Sequence, residues 1–159
     1  MTEFTEYVCG FLFGDRGRVA LIQKARPEWQ RGRLNGIGGK VEPGETPRQA
    51  MQREFREEAD YFTFESDWHH CVTLTFAKGR IYFFRAKREQ TVDLRYDGDE
   101  PCQWVDSAYL SNYPVIPNLR WLIPLCLDDD LQLPIEITDV CDAETNGATM
   151  REKRKAGGL

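Results

Sequence analysis

The sequence predicts an α/β layer fold with a mixed sheet. Three observations carry this. Short apolar runs bounded by Gly, Asp and Lys turns recur along the chain, in the manner of strands joined as hairpins. Only a few helical stretches interrupt them. A content of 41% hydrophobic and 12% aromatic residues supplies a core and excludes a wholly disordered chain. The 159 residues amount to one domain, on a prior of roughly 100–200 residues each. The expected domain runs over residues 1–141, followed by a polar tail over 142–159.

Tyr7 to Gly14 is apolar and reads as a strand, Asp15-Arg16-Gly17 as a turn, and Arg18 to Lys24 as the returning strand. Residues 26–44 are dense in Gly, Pro, Asn and Arg, which predicts a loop with at most a short strand. Thr46-Pro47 opens a helix that runs to about Ala59, with Thr46 as N-cap and Pro47 in the first turn. Ser66 to Ala77 and Arg80 to Lys87 form a second hairpin around Lys78-Gly79, and Gln103 to Val105 a short strand after the acidic turn Tyr96 to Glu100. Leu119, Leu122, Ile123 and Cys126 have helical spacing, with Pro124 expected to disturb one turn. Leu131 to Ile137 reads as a late strand.

Charge and cysteine usage narrow the function. Lys plus Arg is 21 against 26 Asp plus Glu, a net charge of −5. A nucleic-acid binder carries a basic excess, so no specific nucleic-acid partner is expected, and Arg151 to Lys155 reads as a solubilising run. A polyphosphate held through metal ions stays open, since carboxylates hold the metals. No segment reaches the ~18–20 apolar residues of a membrane span, and Met1 to Tyr7 has no signal-peptide pattern. Cys9, Cys71, Cys102, Cys126 and Cys141 form no C-x-x-C pair. They read as reduced thiols of a cytoplasmic protein. His69 and His70 point to opposite faces of one strand and cannot form one site.

The informative stretch lies between residues 36 and 61. Glu54, Glu57 and Glu58 fall at i, i+3 and i+4, so their carboxylates share one helix face. They repel one another and sit toward the helix C-terminus, where the macrodipole disfavours anions. A hard divalent cation would relieve this, and a solvated face balanced by Arg53 and Arg56 is the alternative. Gly36, Gly38 and Gly39 precede the helix and allow close backbone approach, but they fit no G-x-x-x-x-G-K-[ST] phosphate loop.

From Gly39 the chain reads five residues to Glu45, then seven to Arg53-Glu54-Phe55-Arg56-Glu57-Glu58, then Ala59-Asp60-Tyr61. This resembles the signature of the Nudix hydrolases, G-x5-E-x7-R-E-U-x-E-E-x-G-U, where U is a bulky apolar residue. A looser likeness extends from Tyr7 to Leu127. One position departs: the signature's last glycine is Asp60. Asp tolerates a left-handed cap better than most residues, and an added carboxylate near the metal is the alternative.

The resemblance implies an α/β/α sandwich with a mixed sheet and Mg²⁺- or Mn²⁺-dependent hydrolysis of a nucleoside diphosphate linked to another group. Carried onto this sequence, Glu54, Glu57, Glu58 and the Gly39 carbonyl are expected metal ligands, Arg53 orients a glutamate, and Glu45 supports the loop. Glu100 matches a late glutamate that serves as metal ligand or base, with Asp97 and Asp99 as neighbours able to replace it. The expected catalytic set is Glu54, Glu57, Arg53 and Glu100.

Lys24, Arg26 and Lys40 are candidate phosphate contacts, with solvated charge the alternative for each. Asn35 to Val41 looks like the corresponding stretch of the MutT-like triphosphatases of oxidised purines, which makes Asn35 a base-contact candidate. Asn118 stands where those enzymes commonly carry an acid; an amide there speaks against selectivity for oxidised guanine and leaves purine binding open. Trp29, Tyr113 and Trp121 can stack on a base, though core packing is expected for Trp104 and Trp121. The function expected is hydrolysis of a nucleoside triphosphate to monophosphate and pyrophosphate, favoured by the short chain. Hydrolysis of ADP-ribose or diadenosine polyphosphates is the alternative. A non-catalytic nucleotide sensor is disfavoured by the intact Glu54, Glu57 and Glu58.

Overall fold

Strand β1 (Thr5–Phe13) is apolar on both faces, as a strand covered on both sides must be. Cys9, Phe11 and Phe13 enter one core, and Val8 and Leu12 the other. The computed structural model describes residues 3–139. The tail expected over 142–159, its basic run and Cys141 lie outside the described residues.

β1 turns through Asp15–Gly17 into β2 (Arg18–Gln23). Arg16 (φ 57°) and Gly17 (φ 70°) take left-handed conformations there. The Asp15 carboxylate pins the turn, accepting from Arg18 Nη2 at 3.0 Å and from the Thr91 amide at 3.2 Å. After the pair Phe13↔Val19 the two strands diverge. The glycine-rich segment fills the opening as β3 (Leu34–Asn35) and β4 (Ile37–Lys40). β3 pairs with β2, and β4 pairs antiparallel with β1 from Tyr7↔Lys40 to Gly10↔Ile37. A stretch expected to be mostly loop is therefore two short strands. A Cβ on Gly38 would strike the Val8 carbonyl, so glycine is what admits this pairing.

The sheet is completed by β5 (His69–Phe76), β6 (Gly79–Lys87), β7 (Cys102–Asp106) and β8 (Ile135–Thr138). The order is β3-β2-β1-β6-β5-β8, with β4 on β1 and β7 on β2. β1 runs parallel to β6 and β5 parallel to β8, while β5 and β6 are antiparallel, so the sheet is mixed. β5 starts later than expected. Glu65–Asp67 forms a 3₁₀ turn, held by the Asp67 carboxylate accepting from the Phe64 amide at 2.9 Å.

Helix α1 (Pro47–Ala59) covers one face with Ala50, Met51, Phe55 and Ala59. These pack on Val8, Leu12, Ile22 and Trp68. Its start is a capping box: Thr46 Oγ1 accepts from the Gln49 amide at 3.2 Å, and Gln49 Oε1 from the Thr46 amide at 2.8 Å. Helix α2 (Leu119–Leu127) covers the other face with Leu119, Leu122, Ile123 and Cys126. The result is the expected α/β/α sandwich. Two expectations change. The helix continues through Pro124, which lies on its exposed side. Trp121 is 45% exposed rather than in the core, because the four inward positions turn it outward. Trp104 is half-buried, and its indole donates to the Val92 carbonyl at 2.9 Å.

Candidate active site

Helix α1 crosses the sheet so that its C-terminal half stands over β4 and the β6–β7 connection. Arg53 is the hub of its acidic face. Its Nε and Nη2 donate to the two oxygens of Glu45 at 3.1 and 2.6 Å. Its Nη1 donates to Glu54 at 2.8 Å and to Glu57 at 3.4 Å, and its Nη2 also to the Lys40 carbonyl at 3.0 Å. The Arg53 contact holds the Glu45 carboxyl below the usual carboxylate range. Glu45 in turn accepts from the Glu42 amide at 2.7 Å, which closes the turn before the helix.

Glu54 lies against Gly39, and a Cβ on that residue would run into its carboxylate. Glu58 is half-buried. Burial pushes its carboxyl up to about 7; Lys24 pulls it down, and the Glu54 and Glu100 charges push it further up. Its Oε2 is buried with no hydrogen-bond partner. The Glu57 side chain is 60% exposed.

Glu100 reaches the same place from the end of the β6–β7 connection. Lys24 Nζ is 3.0 Å from its Oε2, and the Ala25 amide donates to that oxygen at 2.9 Å. Burial raises the Glu100 carboxyl, but the Ala25 amide, Lys24 and Arg26 outweigh it and hold it below its ordinary value. A cleft of about 420 Å³ opens here, lined by Glu57, Glu58, Asp99 and Glu100 together with Arg26 and Arg95. Asp97 also lines it.

Of the other predicted residues, Lys24 and Arg26 join this site and the rest lie outside the cleft lining. Lys24 is engaged with Glu100. The Lys40 side chain is exposed and outside the cleft lining. Asn35 uses its amide locally, donating to Gln30 Oε1 at 3.1 Å and accepting from the Gly36 amide at 2.8 Å. Residues 114–116 run beside β3, with the Ile116 amide donating to the Leu34 carbonyl at 2.9 Å, which brings Asn118 toward the Asn35 end of the sheet. Asn118 Oδ1 is buried and unpartnered. Asp60 takes the left-handed cap (φ 53°, ψ 41°), and it is exposed and outside the cleft lining. Trp29 and Tyr113 pack beside the α2-side core. Arg95 was not singled out by sequence reasoning. The one signal was an arginine inside the acidic stretch Asp93 to Glu100.

Among the described residues, no three acid, imidazole or thiol side chains converge on one point, since Glu54 and Glu57 are turned to Arg53. The donors nevertheless fit a hard divalent cation. They are carboxylate oxygens, one of them an orphaned buried Glu58 Oε2, beside a glycine backbone with no side chain in the way.

The family model described as NUDIX domain matches residues 3–124. No curated protein matches the sequence. A MutT protein from Bacillus halodurans is similar in structure, with 18% identity, 88% of this chain and 93% of that chain covered, and a TM-score of 0.69. A MutT structure from a study of Aliivibrio salmonicida and Vibrio cholerae has 22% identity, 79% and 98% coverage, and a TM-score of 0.65. A bifunctional NMN adenylyltransferase/ADP ribose pyrophosphatase of Francisella tularensis, complexed with AMP and a Mn ion, has 13% identity, 80% and 42% coverage, and a TM-score of 0.67.

Proposed function

The chain belongs to the Nudix domain family, which makes it a hydrolase of phosphoanhydride bonds, and on that footing we propose that it cleaves nucleoside triphosphates to the monophosphate and pyrophosphate. The observation that carries the reading is the meeting of Glu57 and Glu58 of α1 with Glu100 around one cleft. Glu54, Glu57, Glu58, Glu100 and the Gly39 carbonyl would hold Mg²⁺ or Mn²⁺. The cation supplies charge neutralisation on the phosphates and a more acidic water.

The chain's own groups do the rest. Arg53 fixes Glu54 and Glu57 and is itself fixed by Glu45. Glu100 is kept ionised, so it can accept a proton from the water that attacks phosphorus. Arg26 donates to non-bridging phosphate oxygens. Lys24 neutralises Glu100, while Lys40, exposed and outside the cleft lining, is left as a solvated charge. Asn118 Oδ1, buried without a donor, supports contact with an N–H group on a base edge, with Asn35 close by. An apolar ligand there would leave that oxygen unpaired, which favours a ligand group that donates a hydrogen bond.

The second reading is ADP-ribose, supported by the likeness to the Francisella tularensis protein whose name includes ADP ribose pyrophosphatase. Initial rates with Mg²⁺ on normal and oxidised nucleoside triphosphates, ADP-ribose and diadenosine polyphosphates test the choice. Triphosphates should lead the ranking. Turnover confined to ADP-ribose or the dinucleotides would replace this reading with the second.

A further inference from the structure

Arg95 closes the C-terminus of α1. Its amide donates to the Ala59 carbonyl at 2.9 Å, and its Nη1 to the Glu57 carbonyl at 2.9 Å. The Asp60 amide takes the Arg56 carbonyl at 3.1 Å, and Cys102 Sγ faces that of Glu58 at 3.8 Å. All four terminal carbonyls of the helix therefore have a donor, two of them from one residue. The Arg95 carbonyl accepts from the Cys102 amide at 2.7 Å. The residue is thus tied to α1 on one side and to β7 on the other.

Anchored in this way, Arg95 lines the cleft. There, Glu57, Glu58, Asp99 and Glu100 are its neighbours in the lining. Yet among the described residues Arg95 forms no ion pair. Lys24 takes Glu100, and Arg53 takes Glu57. The carbonyl contact uses one N–H of the five on a guanidinium, so most of the fork stays available. An unpaired, backbone-anchored fork beside carboxylates suited to a metal fits a ligand that brings its own anionic oxygens.

We propose that Arg95 is a substrate-contacting residue, donating to non-bridging oxygens of the phosphate chain across the cleft from Arg26. The inference rests on the phosphoanhydride reading above. A helix-capping role alone is the competing account.

The test compares the full chain with Arg95→Gln and Arg95→Lys. Inorganic pyrophosphate in Mg²⁺ buffer is the calorimetric probe, because it carries the anhydride without a base. Thermal denaturation and steady-state kcat and KM are measured alongside. Arg95→Gln should weaken pyrophosphate binding and raise KM by roughly tenfold or more, with Arg95→Lys between it and the parent. Pyrophosphate affinity and KM equal to the parent, with only a lower Tm, would overturn the proposal and leave the cap. Failure of the parent to bind pyrophosphate would overturn it as well. Should Arg95→Gln not fold, Arg95→Lys keeps charge and cap but loses the fork, and parental affinity in it is the overturning result. A parent that binds pyrophosphate through Arg95 but cleaves no anhydride would defeat the catalytic reading and leave this assignment standing.

Discussion

Arg53 lies across the carboxylate of Glu45, with Nε and Nη2 3.1 and 2.6 Å from its two oxygens. This forked contact joins the turn before α1 to the helix's acidic face. Glu45→Gln should therefore cost roughly 1–3 kcal/mol of stability. It should also lower kcat/KM, since Glu54 and Glu57 lose a fixed Arg53. Arg53→Lys should do no better, because an ammonium cannot span Glu45, Glu54 and the Lys40 carbonyl together. Denaturation and kinetics on both variants check this.

Glu57→Gln separates chemistry from folding. The side chain is 60% exposed, so the fold should hold and Tm should stay close to the parent's. Turnover should fall by about 100-fold or more if the carboxylate serves the metal. Unchanged turnover would remove Glu57 from the site.

Glu58 gives a pH-dependent signature. Its folded carboxyl is raised from 4.5 to about 7 by burial, against the unfolded value. The folded state then binds more protons between these values, so stability is present at low pH and lost as pH rises through 7. One pKa unit being worth about 1.4 kcal/mol, the loss is on the order of 3 kcal/mol. In chelator-treated protein, Glu58→Gln should raise Tm at pH 8 and change it little at pH 4. With Mg²⁺ the parent should regain stability that the variant does not. A variant less stable than the metal-free parent at pH 8 would contradict this.

Glu100 should titrate oppositely. Burial raises its carboxyl, but the Ala25 amide, Lys24 and Arg26 hold it lower. Its stabilising contribution is present above the unfolded carboxylate value and lost as pH falls through the depressed one. Lys24→Met removes one of those restraints, so the acidic limb of the kcat/KM profile should move to higher pH. A profile superimposable on the parent's would exclude Glu100 as the titrating acceptor.

Local spacing explains what was legible in the sequence. Thr46, Pro47 and Gln49 announce the start of α1, and Glu54, Glu57 and Glu58 share a face by helical geometry alone. The β3–β4 segment was not legible, because its glycines read as loop while the strands they admit, Tyr7 to Gly10 and Ile22 to Gln23, lie far off in sequence. Trp121 was misplaced because aromaticity outweighed its position between inward residues of α2. Arg95 stayed hidden for a tertiary reason. Its place at the end of α1 exists only once the β6–β7 connection returns across 38 residues of chain to Glu57.

The most direct measurement is the identity of the phosphorus-containing products from the best nucleoside triphosphate in Mg²⁺, separated by ion exchange. The account predicts monophosphate and pyrophosphate in equal amounts, with none from Glu57→Gln on the same time scale. Nucleoside diphosphate with orthophosphate would contradict it.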